Sequence, residues 1–471
     1  MTKLKPKGTK RTKLSADPGK AFFVNMLTRD LSLEDAILDL LDNCIDGALR
    51  VKQRDLKAGE SFTGFNAKIT ISKDGFEIRD DCGGIPESKL SYAFMHGRPK
   101  DISDQGIPTV GIYGIGMKRA IYKMGTRARV ATKSGKLKCE VPFTPEWMKS
   151  DAWELPVLGT TEKFATDVTV VEVSELRDEV QKIFSIGLSD FEKRLRTMIG
   201  EHYAYLISHG FKVWLNGTEI EGRPIDLQFQ IDDGATSLRP FFWETEKNGV
   251  RVFLSIGFYR PPPNKDDSSD ADGKENWSSE NSGWTILCNH RVVAYCDTTH
   301  LTGWGDRPIP RFHAQFNAIR GIVVFESEDA SRLPTTTTKR GLDVGHQLYA
   351  DVKNVMKEGM RIFIDSTNKW KAEPERSRKL LQSGNIKQLG IDELRVKAKA
   401  LLATNRGASG GKIYKPTLPE PKRDSNLIWI RYSKNKEDVA AVADYVLKDT
   451  DAAPADVGEA CFDLFLKKTR S

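Results

Sequence analysis

Three short polar side chains lie at helical spacing within an otherwise apolar segment. Asp39, Asn43 and Asp46 stand four and three positions apart, so a helix places all three on one face. The apolar residues of segment 33–50 recur at the spacing of a buried helix, and no Lys or Arg lies among the three polar residues. Oxygen atoms of this kind hold Mg²⁺ and position a water molecule, and a solvated helix face is the alternative.

A second motif pairs a carboxylate with adjacent glycines. The run DDCGGIP begins at Asp80, directly after a strand-like segment at 75–79. Gly83 and Gly84 allow a flat ligand to approach the backbone closely while the carboxylate accepts a hydrogen bond. A plain turn explains the same residues without a ligand, and this run alone does not decide between the two.

The third motif is a glycine-rich run that leads into a helix pattern at 119–124. Gly111, Gly114 and Gly116 have the spacing G-x-x-G-x-G, which is neither the dinucleotide-binding fingerprint nor a Walker A loop. Glycines before a helix leave the backbone N–H groups and the positive end of the helix dipole free to hold phosphates. Lys118 adds a positive charge in the first turn, so the run predicts a phosphate-binding loop.

Strands and helices must bring these motifs together. Strand-like runs occur at 67–71, 128–132 and 168–173 between helical patterns, which predicts an α+β fold. Composition divides the 471 residues into segments that we expect to differ in structure. These are a basic disordered tail at 1–20, an α+β domain at 21–180, an α/β domain at 181–368 with a mobile loop at 261–281, a linker at 369–424, and a small C-terminal module at 425–471.

Charge and cysteine usage limit the function classes. Residues 1–20 hold seven Lys and Arg against one Asp, which favours either an arm along nucleic-acid phosphates or a solvated tail. The six cysteines are scattered without a C-x-x-C pair, so we expect reduced thiols and no zinc site. No apolar run is long enough for a membrane span or a secretory signal, so we expect a cytoplasmic protein without a membrane partner.

In their order and separation the three motifs resemble those of the GHKL ATPases. This superfamily includes DNA gyrase B, MutL, MORC proteins, heat-shock chaperones and histidine kinases. Its pattern is E-x-x-x-N, D-x-G-x-G, G-x-x-G-x-G and a threonine on a late strand, and here the corresponding segments are 39–43, 80–84, 111–116 and Thr169. The resemblance implies a Bergerat-fold ATPase domain, with helices on one face of a mixed sheet, that binds ATP and Mg²⁺.

The resemblance also implies a role for each residue. Asn43 is expected to ligate Mg²⁺, Asp80 to accept from the adenine amino group, and Thr169 to support the Asp80 end. The phosphates are expected to lie against the glycine loop, under a lid at 92–110. The nucleotide-binding residues are then Asn43, Asp46, Asp80, Gly84, Gly111, Gly114, Gly116, Lys118 and Thr169.

Two departures from the family pattern bear on activity. Asp39 stands where the catalytic Glu is usual, so its carboxylate is set back by about 1.5 Å. A misplacement near 1 Å can lower a rate on the order of 10²-fold, so we expect hydrolysis to be slow or absent. Cys82 stands at the first glycine of the second motif, whereas Asp80 and Gly84 are kept.

The later run TTTTKRGL at 335–342 follows the second strand-rich segment. Its position resembles that of the transducer lysine of gyrase B-like and MORC-like proteins, which makes Lys339 the second catalytic candidate; a loop lysine is the alternative. The layout is most similar to prokaryotic MORC-like and MutL-like ATP-binding proteins. We therefore expect an ATP-dependent homodimer that closes as a clamp on DNA. A chaperone-like clamp on proteins and an ATP sensor without turnover are the alternatives.

Overall fold

The computed structural model describes residues 19–54, 61–97, 109–111, 114–232, 234, 236–261, 279–336, 341–371, 373, 376–377, 379–380, 385–402, 411–421, 430 and 432–470. Helices and strands are mixed along them, which confirms the predicted α+β class. The helices are α1 (Lys20–Thr28), α2 (Leu33–Arg54), α3 (Glu87–Phe94), α4 (Gly116–Met124), α5 (Pro145–Lys149), α6 (Asp178–Ile186), α7 (Leu188–His202), α8 (Ala204–Ser208), α9 (Gln347–Trp370), α10 (Ile391–Leu402), α11 (Lys436–Leu447) and α12 (Pro454–Arg470). The strands are β1 (Asn66–Ser72), β2 (Gly75–Asp80), β3 (Gly125–Ser134), β4 (Leu137–Phe143), β5 (Leu158–Gly159), β6 (Val168–Leu176), β7 (Lys212–Leu215), β8 (Thr218–Glu219), β9 (Asp226–Gln230), β10 (Phe241–Lys247), β11 (Val250–Phe258), β12 (Gly283–Cys288), β13 (Arg291–Asp297), β14 (Ile319–Glu326), β15 (Ile386–Gly390) and β16 (Lys412–Tyr414).

The first sheet has eight strands in the order β5-β4-β3-β6-β2-β1-β7-β8. It is mixed, because β1 and β7 are parallel whereas the other neighbours are antiparallel. Residues of β1 alternate between buried and exposed, as expected when helices cover one face of a sheet. Helices α2, α4 and α7 contribute buried apolar side chains to the core at this sheet, among them Ile37, Ile121 and Leu195.

The last two strands of the first sheet come from residues 212–219, beyond the boundary expected at residue 180. A parallel pair such as β1 and β7 requires a long crossover connection, and helices α6 to α8 lie in that connection. The buried face of α7 carries Phe191, Leu195 and Ile199, which belong to the same core as β1 and β2. Helix α7, which lies in the segment assigned by composition to the second domain, therefore packs on the first sheet.

The second sheet has six strands in the order β13-β12-β14-β11-β10-β16. Helix α9 packs against it through buried side chains that include Val352, Met356 and Phe363. The predicted mobile loop at 261–281 lies mostly outside the described residues, and its last three residues form a short 3-10 turn.

The expectation of a linker at 369–424 was wrong for part of that segment. Strand β15 pairs with β9, and β16 forms the edge of the second sheet beside β10. Helix α10 buries Leu394, Ala398 and Leu402. The charged residues that suggested a linker alternate with these apolar positions, so the average composition concealed an amphipathic helix.

The chain divides into two compact units, residues 1–420 and 421–471. In the second unit, α11 and α12 form a helical pair with few buried side chains, among them Ala443 and Val457. Of the run at 427–432 that resembles a strand, Ile430 and Tyr432 are described, and neither lies in a strand.

Most of the predicted basic tail, residues 1–18, lies outside the described residues. Lys20 was counted in that tail, but it begins α1 and is buried. Its ammonium group donates to the carbonyl oxygens of Trp147 (2.8 Å) and Ala152 and lies 3.6 Å from the Trp147 ring centroid. Lys20 is therefore an anchor for α1. No described helix combines the length and apolar character that crossing a membrane requires.

A buried ion pair joins helix α2, which packs on the first sheet, to strand β13 of the second sheet. Asp42 on α2 accepts through Oδ1 from Nη1 of Arg291, the first residue of β13, and the Tyr203 hydroxyl lies 2.8 Å from the same oxygen. The Arg291 and Asp42 side chains are only 2% and 1% exposed. Because both charged groups are buried away from water, each one is stabilised by the opposite charge of the other.

Replacing Arg291 with Ala leaves the Asp42 carboxylate buried without its cation. We expect the free energy of unfolding to fall by about 3 to 5 kcal/mol. Chemical denaturation followed by tryptophan fluorescence measures this loss. Arg127→Ala is the matched control, because the Arg127 and Glu175 side chains are 48% and 47% exposed, and such pairs contribute at most about 1 kcal/mol. Equal losses in the two variants would contradict the stabilising role of the buried pair.

Candidate functional site

One cleft in the first unit gathers the residues singled out by sequence. It has a volume of about 320 Å³ and is lined by α2, the turn after β2, α3, the glycine loop with α4, and β6. The predicted site residues among its lining are Asp39, Asn43, Asp46, Asp80, Gly84, Gly111, Gly114, Gly116, Lys118 and Thr169. Lys339 lies outside the described residues. Segments far apart in sequence therefore share one cavity of the size that holds small ligands.

Helix α2 presents its three polar residues to the cleft in different ways. Asn43 is exposed there, whereas Asp39 and Asp46 are buried. Asp46 accepts from the backbone N–H of Val110 through Oδ1 (2.7 Å) and from that of Gly111 through Oδ2 (2.9 Å). A Cβ at Gly111 would lie 2.6 Å from Oδ2 of Asp46, so a larger residue there would displace the Asp46 carboxylate. Asp46 thus positions the start of the glycine loop with both of its oxygens.

Asp80 ends β2 and lines the same cleft. Its Oδ1 accepts from the Cys82 backbone N–H at 2.9 Å. Burial raises the pKa of Asp80 to about 6, although the Cys82 N–H acts in the opposite direction. Thr169 lies directly opposite Asp80 in the pairing of β2 with β6. The predicted neighbours Asp80 and Thr169 are therefore adjacent across two strands.

The turn after Asp80 requires its second glycine. Gly84 has a φ of +64°, and a Cβ there would overlap the carbonyl oxygen of Lys133. The Thr132 hydroxyl accepts from the Ile85 N–H (2.8 Å) and donates to the Val168 carbonyl (3.0 Å), which ties the turn to β3 and β6. The Cys82 side chain is buried beside this turn. Cys82, where the GHKL pattern would have a glycine, is thus accommodated in the core beside the cleft.

Lys118 is buried and bonded to backbone oxygens. Its ammonium group donates to the carbonyls of Ala93 (2.8 Å), Met95 (2.8 Å) and Gly114 (2.6 Å). Burial lowers the pKa of Lys118 to about 8. The lysine therefore joins the end of α3, where the predicted lid begins, to the glycine loop, whereas the sequence had suggested a charge directed at phosphates.

Arg119 is a cation of the cleft that the sequence motifs did not single out. Its Nε lies 3.2 Å from Oδ2 of Asp39, and its Nη2 donates to the same oxygen. Its position in the first turn of α4, next to Lys118, was the available signal, because cations there face the same space as the loop N–H groups. Asp39, the candidate general base, is thus held by a guanidinium group.

A turn of the second sheet also contacts the glycine loop. Asn289, between β12 and β13, donates through Nδ2 to the Thr109 carbonyl at 3.1 Å. Thr109 and Val110 also line a small cavity together with Leu333 and Thr335, which precede the segment of Lys339. Thr335 forms an isolated antiparallel bridge with Leu342. Leu333 and Thr335, which precede Lys339 in the chain, therefore border Thr109 and Val110. Leu342, which follows Lys339, pairs with Thr335.

Comparison of the sequence with protein-family models and with curated proteins finds no match. Within the described ranges, no group of three or more His, Cys, Asp or Glu side chains is arranged to hold a metal ion by itself. Inferences about function therefore depend on the cleft and on the motif resemblance.

Removing the Asp46 carboxylate should release the glycine loop. In Asp46→Ala we expect amide hydrogen exchange at Val110 and Gly111 to accelerate by about 10- to 100-fold, because each loses a hydrogen bond to a charged acceptor. Exchange followed by mass spectrometry or NMR measures the effect. Asn43→Ala is the control on the same helix, since Asn43 is exposed and should leave these two amides unchanged. Unaltered exchange in Asp46→Ala would show that the loop is held by other contacts.

Proposed function

We propose that the chain binds ATP with Mg²⁺ in this cleft and uses the nucleotide as a conformational switch, as a Bergerat-fold protein of the GHKL type. The observation that carries the proposal is the convergence of the three motifs on one cavity, around the exposed side chain of Asn43. If the three sequence motifs had arisen by chance, their residues would not be expected to line the same cleft.

The adenine end of the cleft fits the chemistry of a purine. Ile78 and Val171 provide apolar lining beside Asp80, and Gly84 brings the backbone close to the ligand space. Asp80 accepts from the Cys82 backbone N–H and from the Cys44 and Cys82 thiols, which are weak donors. Because a carboxylate has about four acceptor sites, it retains capacity for the adenine amino group. Thr169 stands beside it on β6. The residues present thus match a flat ring with an exocyclic donor.

The phosphate end lies where α4 begins. Gly114 and Gly116 leave the backbone accessible, and the helix N-terminus favours negative charge. Asn43 supplies an amide oxygen suited to Mg²⁺, which in nucleotide sites takes few protein ligands and keeps waters and phosphate oxygens. Asp46 is engaged by the loop N–H groups, so its role in this proposal is to shape the loop.

The nucleotide state is proposed to reach the second sheet through two connections. One is the Asn289 contact with Thr109, and the other is Lys339, to which the resemblance to GHKL ATPases assigns a contact with the γ-phosphate. Closure is proposed to drive homodimerisation on DNA, for which the six basic residues ahead of residue 19 supply phosphate contacts. Measuring DNA retention at increasing salt concentration tests whether DNA is the partner, and a steep fall with salt supports it.

A sensor without turnover is the second candidate. The ion pair of Asp39 with Arg119 favours it, because a carboxylate held by a guanidinium is not free to orient a water molecule. Phosphate release from ATP distinguishes the two functions. If the parent releases phosphate no faster than Asp39→Ala does, the sensor is favoured. If Asp39→Ala still binds ATP but no longer releases phosphate, the hydrolase is favoured.

Asp80→Asn should weaken ATP binding by about 10- to 100-fold, because a charged acceptor contributes roughly 1.5 to 3 kcal/mol. Since the pKa of Asp80 is raised to about 6, its carboxylate is ionised above that pH and protonated below it. Affinity of the parent should therefore fall as pH drops through about 6. Calorimetric titration with ATP and Mg²⁺ across pH 5 to 8 measures both effects.

Phosphate groups also titrate near pH 6, so the variant serves as the control for them. The pH dependence that comes from the phosphate groups of ATP is the same for the parent and for Asp80→Asn. Only the parent should show the additional loss of affinity that comes from protonation of Asp80. Identical pH profiles and affinities for the parent and Asp80→Asn would remove Asp80 from the binding site.

Lys339→Ala should leave ADP affinity nearly intact and reduce the preference for ATP over ADP by about tenfold or more, since one charge-assisted contact to the γ-phosphate is lost. ATP-induced closure or dimerisation, followed by light scattering, should fall with it. Arg340→Ala is the matched control, because it removes the neighbouring charge. Closure of Lys339→Ala on ATP at the parent's level would show that the second layer senses the nucleotide by another route.

A further inference from the structure

We propose that Arg119 is a further side chain that distinguishes a nucleoside triphosphate from a diphosphate. In the absence of ligand Asp39 binds the Arg119 guanidinium, and a terminal phosphate replaces Asp39 as the partner of Arg119. This inference rests on the proposed function of the cleft. It assigns to Arg119 a role in ligand specificity and to Asp39 a second role beside that of candidate base.

The geometry of the pair supports an exchange of partners. Both guanidinium contacts use Oδ2 of Asp39, through Nε at 3.2 Å and through Nη2. The Arg119 and Asp39 side chains are 14% and 7% exposed, yet both line the cleft. A guanidinium has five N–H donors in a planar fork, and phosphate oxygens accept two of them side by side. A phosphate entering the cleft thus meets an arginine with donors still available.

Among the described residues, three other cations line the cleft, and one of them, Lys89, stands on α3 close to the turn that follows Asp80. Lys118 and Arg50 are less suited to this task. Lys118 donates to three backbone carbonyls, so turning toward a phosphate would break the link between α3 and the glycine loop. Arg50 lies eleven residues beyond Asp39 on α2, which separates them by about 16 Å along the helix. Arg119 stands in the first turn of α4, at the end of the cleft marked by Asp39 and Gly116.

Competition explains how a triphosphate would be selected. In the absence of ligand the guanidinium is neutralised by a single carboxylate charge. A terminal phosphate carries about −1.5 to −2 charges and three acceptor oxygens, so it is the stronger partner. Transfer of Arg119 to that phosphate leaves Oδ2 of Asp39 available for a water molecule. A diphosphate lacks the terminal group, so Arg119 remains on Asp39 and the base remains blocked.

Two opposite effects on affinity follow. Arg119→Gln should lower ATP affinity by about tenfold and change ADP affinity by less than about threefold, because only the terminal phosphate loses a partner. Asp39→Asn should raise ATP affinity by about tenfold, because Arg119 no longer has to leave a carboxylate.

The double variant separates this effect from simple charge repulsion. If Asp39 acts through Arg119, Asp39→Asn raises ATP affinity in the parent and has little effect in the Arg119→Gln background. If Asp39 only repels phosphates, the gain is the same in both backgrounds. Arg119→Lys keeps the charge but loses the fork, so it should recover only part of the preference for ATP. Lys123→Ala is the matched control, since Lys123 lies on the same helix outside the cleft lining and bonds to the Thr28 carbonyl.

The experiment titrates the full chain and these variants with ATP, a non-hydrolysable ATP analogue and ADP in the presence of Mg²⁺, with thermal melting as a check on folding. A gain in ATP affinity on Asp39→Asn that disappears in Arg119→Gln supports the inference. Additive effects, or equal changes for ATP and ADP, overturn it while leaving the proposed nucleotide site intact. A parent that binds none of the three nucleotides overturns the proposed function and this inference together.

Discussion

Three buried carboxylates on helix α2 organise the structure around the cleft. Asp39, Asp42 and Asp46 lie on a helix whose other side chains are largely apolar and buried, so each charge must find a partner within the protein. The partners come from three different elements: α4, the start of β13, and the glycine loop. Because an uncompensated buried charge is costly, these contacts determine where those elements lie relative to the helix.

The same requirement links the cleft to the second sheet. The turn between β12 and β13 carries Asn289, which contacts the loop at Thr109, and it is followed by Arg291, which contacts Asp42. Asp42 directly precedes Asn43, and Thr109 lies two residues before Gly111 of the glycine loop. A change in the loop or in α2 on ligand binding therefore acts directly on one hairpin of the second sheet. Such a hairpin is the kind of packed element through which a local event can shift two layers relative to each other.

Helix α4 begins with two cations that have different roles: one stabilises the fold, and the other is proposed to contact the ligand. Lys118 and Arg119 are neighbours in sequence, yet the first is bonded to backbone carbonyls and the second to a carboxylate of the cleft. The resemblance to GHKL ATPases directed attention to the lysine. In the further inference Arg119 contacts the terminal phosphate, and Asp39 has a role in positioning Arg119 whether or not ATP is hydrolysed.

Helical and strand periodicity are local, so the sequence alone determined α2, the sides on which Asp39, Asn43 and Asp46 lie, and the mixed α+β character. It also identified the glycine runs, because tight turns and close approaches leave a local signature. The partners of these residues were decided by the tertiary structure alone. Arg119 lies 80 positions from Asp39 and Arg291 lies 249 positions from Asp42, and no local pattern encodes such contacts. Whether a lysine or an arginine faces the cleft depends on which carbonyls and carboxylates packing brings within reach, and that is a property of the assembled core.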